Sequence, residues 1–170
     1  IRASGIFAAT KEERKAARKT ARDTINTAVE NEKQQILKLI AAGAQNILVV
    51  NAPDIGAIPE TDLVSLQALA NAQNKGQERR ANRLPNITTK LSSLYNKKLS
   101  RKVSQIEHHT GVNIIEFDLF SFLTDQIDGA DEFGYTNTDD ACIYVFSQAG
   151  TVNPECADFP TASGFLFWDE

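Results

Sequence analysis

The sequence predicts an α/β layered fold built on a parallel sheet, and three observations carry that prediction. Two short apolar runs, Asn46-Ile47-Leu48-Val49-Val50-Asn51 and Val112-Asn113-Ile114-Ile115-Glu116-Phe117-Asp118, are rich in β-branched residues and read as strands. Long stretches with the three-and-four spacing of an amphipathic helix precede each of them. The order helix, strand, helix, strand implies right-handed crossovers that lay helices onto parallel strands.

The first helix is announced by Thr10-Lys11-Glu12-Glu13. In that pattern the threonine oxygen and the glutamate three residues on satisfy each other's orphan amides, a capping box. Ile25, Ala28, Val29, Ile36, Leu39 and Ile40 then form the expected buried stripe, with Glu32 as its one departure. Ala41-Ala42-Gly43 ends the helix, because glycine accepts the left-handed conformation of a helix stop. The strand that follows is apolar at consecutive positions and is expected to be buried on both faces. Its exit, Ala52-Pro53-Asp54-Ile55-Gly56-Ala57-Ile58-Pro59, is an irregular loop.

Thr61-Asp62 is expected to start a second helix through Leu63, Leu66, Leu69 and Ala70, and the polar stretch Asn71 to Arg83 to be a surface connection or frayed extension. Pro85-Asn86 opens a third helix, since proline fits a first turn where no amide is needed. Ile87, Leu91, Leu94, Leu99, Val103 and Ile106 are its apolar stripe, and Gly111 closes it before the second strand. Phe120 to Ile127 is short-helix material. Asp128 to Pro160, rich in Gly, Asn, Asp, Thr and Pro, is expected to be mostly loop. Ala162 to Trp168 is a final apolar segment leading into Asp169.

Bulk composition narrows the function. A net charge of -4 argues against a phosphate backbone as main partner, so no nucleic acid is expected. No apolar run approaches the roughly 20 residues of a membrane helix, and these residues hold no secretory h-region, which says nothing about the compartment. The chain of 170 residues suits one domain. It begins at Ile1 and holds no methionine, which is expected of a processed or partial reading frame. Cys142 and Cys156 are close enough in sequence for a bridge, and count alone leaves a disulfide and two reduced thiols equally open. They are too few for a structural zinc site.

Other candidate groups have bland readings. His108 and His109 are adjacent and cannot share one helix face, so a helix C-terminus suits them better than a metal. Asp125, Asp128, Asp131, Glu132, Asp139 and Asp140 lack the alternating spacing of a calcium loop. Lys75, Arg79, Arg80 and Arg83 have no interleaved aromatics and read as a solvated face. Asn86-Ile87-Thr88 is a glycosylation sequon, meaningful only in a secreting eukaryote. Asp54 stands at the carboxyl end of a parallel strand, where ligands of such sheets bind.

Three stretches, in order, resemble the GDSL-type (SGNH) hydrolases of the lipase/esterase branch. Leu39 to Pro59 is similar to that family's helix end, Gly-Ala, buried strand and Asn-x-Pro-x-x-Gly-x-x-Pro loop. Phe133-Gly134-Tyr135-Thr136-Asn137, followed by Cys142 and Cys156, resembles its Gly-Phe-x-Asn...Cys...Cys stretch. Phe167-Trp168-Asp169 resembles the start of its final block, Phe-Trp-Asp-x-x-His-Pro-Thr.

The resemblance implies a three-layer α/β/α, flavodoxin-like fold with a parallel sheet, of which residues 1–170 are the C-terminal portion of a single domain truncated at both ends. One side of such a sheet is then expected to be uncovered, with apolar surface exposed. It implies a serine ester hydrolase acting on a lipid or small acyl ester, with no metal or organic cofactor, in a secreted or periplasmic setting. Asp169 becomes the catalytic acid that orients a histidine. Asp54 takes a structural role near the site. The family's nucleophile in Gly-Asp-Ser and its Gly-x-Asn-Asp block have no counterpart in this sequence. The chain alone is therefore expected to be inactive. A non-catalytic α/β binding or adhesion module on the same scaffold is the alternative.

Overall fold

The computed structural model describes residues 10–144, 151–156 and 162–169. It is a mixed α/β structure that divides into two compact units, Ile1–Pro53 with Lys90–Phe120, and Asp54–Thr89 with Ser121–Glu170. The predicted loop from 128 to 160 lies partly outside the described residues.

In the first unit, helix α1 (Lys11–Ala41) starts on the predicted capping box. Glu13 N donates to Thr10 Oγ1 at 3.1 Å, and Thr10 N donates to Glu13 Oε2 at 2.9 Å. Strand β1 (Asn46–Val50) follows, and after an excursion through the second unit, helix α4 (Leu84–Thr110) returns the chain to strand β2 (Asn113–Phe117). β1 and β2 pair in parallel, Ile47 opposite Ile114 and Val49 opposite Glu116. The predicted parallel pairing therefore holds for these two strands. Val29 and Ile36 of α1, Ile47 and Val49 of β1, Leu99, Val103 and Ile106 of α4, and Ile114 of β2 form one buried cluster. Ala28 and Leu39, expected on the α1 stripe, are exposed instead. Glu32 lies near enough to Tyr95 to matter electrostatically: burial, and then the Glu32 charge, push the Tyr95 phenol above its ordinary pKa.

The sheet departs from the expected burial on both faces, and the exposed apolar surface expected of a partial sheet is present instead. β1 alternates, with Ile47 and Val49 inside and Leu48 and Val50 outside. Leu48 is 63% exposed and Val50 46%, and on β2 Ile115 is 55% and Phe117 41% exposed. Strand geometry sends successive side chains to opposite faces, so helices on one side leave the other face open. The apolar run suits a doubly covered sheet; here α1 and α4 cover one face.

In the second unit, helix α2 (Pro59–Ala70) starts two residues before the predicted Thr61. Proline needs no amide partner in a first turn, and Glu60 and Asp62 suit the positive end of the helix. Pro59, Thr61 and Ala68 are its buried residues, whereas Leu66 is 61% exposed. The stretch expected to be a polar connection contains a short helix, α3 (Lys75–Ala81), capped by Asn74 Oδ1 accepting from Gln77 N at 3.0 Å. α4 starts at Leu84, with Pro85 in its first turn. Its predicted stripe shifts there: Ile87 is exposed, while Thr88 and Ser92 are buried. Thr88 tolerates burial because its hydroxyl bonds back to Leu84 O and Pro85 O.

Helix α5 (Leu119–Asp128) is as predicted, followed by the short α6 (Ala130–Phe133). The largest correction comes next. Strand β3 (Asn137–Tyr144) runs through what the composition suggested was loop. It pairs antiparallel with β4 (Thr151–Val152) and parallel with β5 (Phe165–Asp169), giving the order β4-β3-β5. Among the described residues, no helix is long and apolar enough to cross a membrane.

Candidate functional site

The three sequence stretches singled out above each do a definable job in the fold. The first is the exit from β1. Asn51 N donates to Phe117 O at 3.1 Å, extending the ladder one step past the strand. Its side chain then joins the two strand ends: Nδ2 donates to Asp118 Oδ1 at 2.8 Å, and Oδ1 accepts from Phe120 N at 3.1 Å. That second bond satisfies an amide at the start of α5, which the helix cannot satisfy itself. Asn96 of α4 holds the backbone of the next residue on both sides, accepting from Ala52 N at 2.9 Å and donating to Ala52 O at 2.8 Å.

Further along the same loop, Asp54 uses both carboxylate oxygens structurally. Oδ1 accepts from Gly56 N at 2.8 Å, and Oδ2 accepts from Thr89 Oγ1 at 3.0 Å. Gly56 sits so close to the start of α4 that an added Cβ would overlap Thr89 Oγ1 and the Pro85 carbonyl. Only glycine fits there. Thr61 Oγ1 donates to Ile55 O and ties the loop to α2.

The second stretch sets up the other sheet. Gly134 ends α6 with φ at 82°, a left-handed conformation that side-chain-bearing residues resist. Thr136 N and Asn137 N both donate to Gly164 O, at 2.8 and 3.1 Å, bringing in the chain that becomes β5. The register then slips between Asn137 and Ala141, which face Phe165 and Phe167. Asn137 Oδ1 accepts from Asp139 N at 3.1 Å and Asp140 N at 2.9 Å, so the irregular stretch keeps its amides satisfied.

The third stretch is β5 itself. Phe165 is buried and Asp169, at the strand's last position, is exposed. Its backbone faces Ile143 across the parallel ladder. The candidate acid thus stands at the carboxyl end of a parallel strand with its side chain accessible. Cys142 and Cys156 are disulfide-bonded with Cα atoms 5.4 Å apart. That resolves the choice their count left open.

A polar cleft of about 380 Å³ lies at the carboxyl ends of β1 and β2, lined by Asn51, Asn96, Lys97, Ser100, Glu116 and Asp118. Ser100 Oγ donates to Glu116 Oε1 at 3.2 Å. Asn96, Glu116 and Asp118 escaped the sequence reading. Asp118 had a signal, since it directly follows a strand, as Asn51 does, and strand ends are where parallel sheets bind ligands. Asn96 had none, because its partner is 44 residues away.

The remaining candidates stay peripheral. His108 and His109 occupy the last turn of α4, the position expected of them, with His109 Nδ1 2.6 Å from Gln105 O. Among the described residues, no three His, Cys, Asp or Glu side chains converge to hold a metal ion. Asp62 of α2 has its carboxyl raised above the usual range, first by burial and then by the Asp139 charge. Compared with known proteins, the sequence matches no protein-family model and no curated protein.

Proposed function

We propose that this chain is the C-terminal portion of a GDSL-type (SGNH) hydrolase domain, of three-layer flavodoxin-like architecture, that cleaves carboxylic esters. The observation that carries the reading is Asp169, an exposed carboxylate on the last residue of a strand running parallel to β3. An imidazole on the turn leaving such a strand is within reach of the carboxylate without any long-range connection. Support also comes from the β1 exit loop, where the family-like asparagine, glycine and proline each have a specific geometric duty. β1 and β2 carry aliphatic side chains on both faces, the pattern of a sheet meant to lie between two helical layers.

In this reading Asp169 accepts a hydrogen bond from the imidazole of a histidine contributed by polypeptide outside these residues. It holds the ring in the correct tautomer and stabilises the imidazolium that forms when the ring takes the serine proton. The serine then attacks the acyl carbonyl of a lipid or short-chain ester. No cofactor is required. The disulfide favours an oxidising compartment, hence a secreted or periplasmic enzyme.

The test uses p-nitrophenyl acyl esters. The parent protein, with its serine and histidine, turns them over, and Asp169→Asn lowers kcat by up to about 10⁴-fold. The 170-residue chain alone shows no turnover. Robust hydrolysis by that chain, abolished in Asp169→Asn, would refute the placement of the serine and histidine elsewhere.

A further inference from the structure

We propose that the Cys142–Cys156 bridge is a redox lock on the strand that carries Asp169, so that the site is assembled only where the bridge can form. Among the described residues, the core cluster beneath that strand is small. Its buried members are Cys142, Cys156, Ala162 and Phe165, with Ile143 packed against them. Two of the four are the cystine itself. Phe165 is the first residue of β5, and Cys142 sits on β3 between Ala141 and Ile143, the residues that face Phe167 and Asp169. The bridge therefore occupies the layer that β5 packs on.

The described bonds around Cys156 belong to one short turn. Among the described residues, β4 pairs with β3 through Thr151 and Val152. Asn153 N donates to Cys142 O at 2.8 Å, and Cys156 N donates to Asn153 O at 2.8 Å. These bonds position the turn, but the covalent link keeps the second sulfur in the core. Reduction by a dithiol breaks the S–S bond. Each cysteine sulfur gains one electron and one proton, and the dithiol closes to its own disulfide. Two unbonded thiols need more room than a cystine, so this core swells where β5 rests on it.

The other sheet provides an internal control. The sequence has two cysteines, and both lie in the second unit. Reduction leaves β1 and β2, and the aliphatic cluster beneath them, chemically untouched. The consequence for catalysis rests on the proposed role of Asp169. A chain kept reduced during synthesis has a loose β5, and exposure to an oxidising compartment fixes it.

Hydrogen exchange on the 170-residue chain, oxidised and then treated with dithiothreitol, tests the lock. Amides of 137–144 and 165–169 are expected to exchange at least about tenfold faster after reduction, while those of 46–50 and 113–117 do not change. The double variant Cys142→Ala/Cys156→Ala reproduces the reduced pattern without any thiol present. Unchanged protection at 165–169 overturns the proposal. So does equal acceleration in both sheets, or free thiols in protein recovered from an oxidising compartment. In the parent hydrolase, reduction lowers kcat along with the protection of β5. If exchange accelerates but hydrolysis persists, the lock stands and the catalytic role of Asp169 falls.

Discussion

The two sheets of this protein are held together by different means. Beneath the parallel pair β1–β2 lie eight buried aliphatic side chains drawn from two helices and two strands. Among the described residues, the buried cluster beneath β4-β3-β5 has four members, two of them joined by a covalent bond. Hydrophobic burial contributes roughly 25 cal/mol per Å² of apolar surface, so the first sheet can rely on area. Among the described residues, the cluster beneath the second is smaller and includes a crosslink. A bridge closing a short loop adds on the order of 3 kcal/mol, chiefly by restricting the unfolded chain. The contrast shows one chain relying on bulk apolar burial at one sheet and adding a crosslink at the other.

The sharpest way to probe the first sheet is to hollow its core. Leu99 is almost fully buried, and Leu99→Ala should cost about 2–5 kcal/mol in urea unfolding, through lost transfer energy and a cavity. Leu48→Ala, on the open face, should change stability by no more than about 0.5 kcal/mol. Equal costs at the two positions would mean that both faces are covered in solution, and the asymmetry described here would fail.

A smaller effect tests how the second unit is tied together at its entry. Gly56→Ala places a methyl group against Thr89 Oγ1 and the Pro85 carbonyl, and the Pro85 carbonyl is backbone that yields poorly. The strain should cost about 1–3 kcal/mol, visible as a lower urea midpoint with an unchanged slope. A neutral outcome would show that the loop is not pinned against α4.

The smallest expected effect is electrostatic. Burial and the Asp139 charge raise the Asp62 carboxyl, so the folded protein holds that proton more tightly than the unfolded chain does. The favourable contribution is complete below the unfolded pKa of about 3.9 and is lost as pH rises through the folded value. Asp62→Asn should therefore stabilise the protein at pH 7 and leave it unchanged near pH 3. The side chain is largely solvent-exposed, so screening limits the gain to about half a kcal/mol. A thermal midpoint that rises equally at both pH values would point to packing instead of charge.

How much of this was legible beforehand depended on distance along the chain. The capping box at Thr10, the helix over 11–41, the parallel pairing of 46–50 with 113–117 and the histidines at the end of α4 follow from neighbours a few residues apart or from connection rules. β3 did not, because Asn137, Thr138, Asp139 and Asp140 look like turn residues. They are turn-like: Asn137 caps an irregular stretch before the regular ladder at Ala141. The Asn96 clamp was invisible because its partner lies 44 residues away, and Asp118 was legible only as a residue that follows a strand. Gly56 was visible as a motif residue, but its reason, a crowded approach to Thr89, was not.

By itself the sequence determined where the long helices and the two parallel strands lie. Those properties come from periodicity, capping and local turn chemistry, which act over one or two turns of chain. Tertiary structure alone decided that β1 and β2 bury one face and bare the other, that β5 lies beside β3 with Asp169 at its end, and that Cys142 meets Cys156. Each of these is a matter of which distant surfaces come together, and no local pattern encodes that.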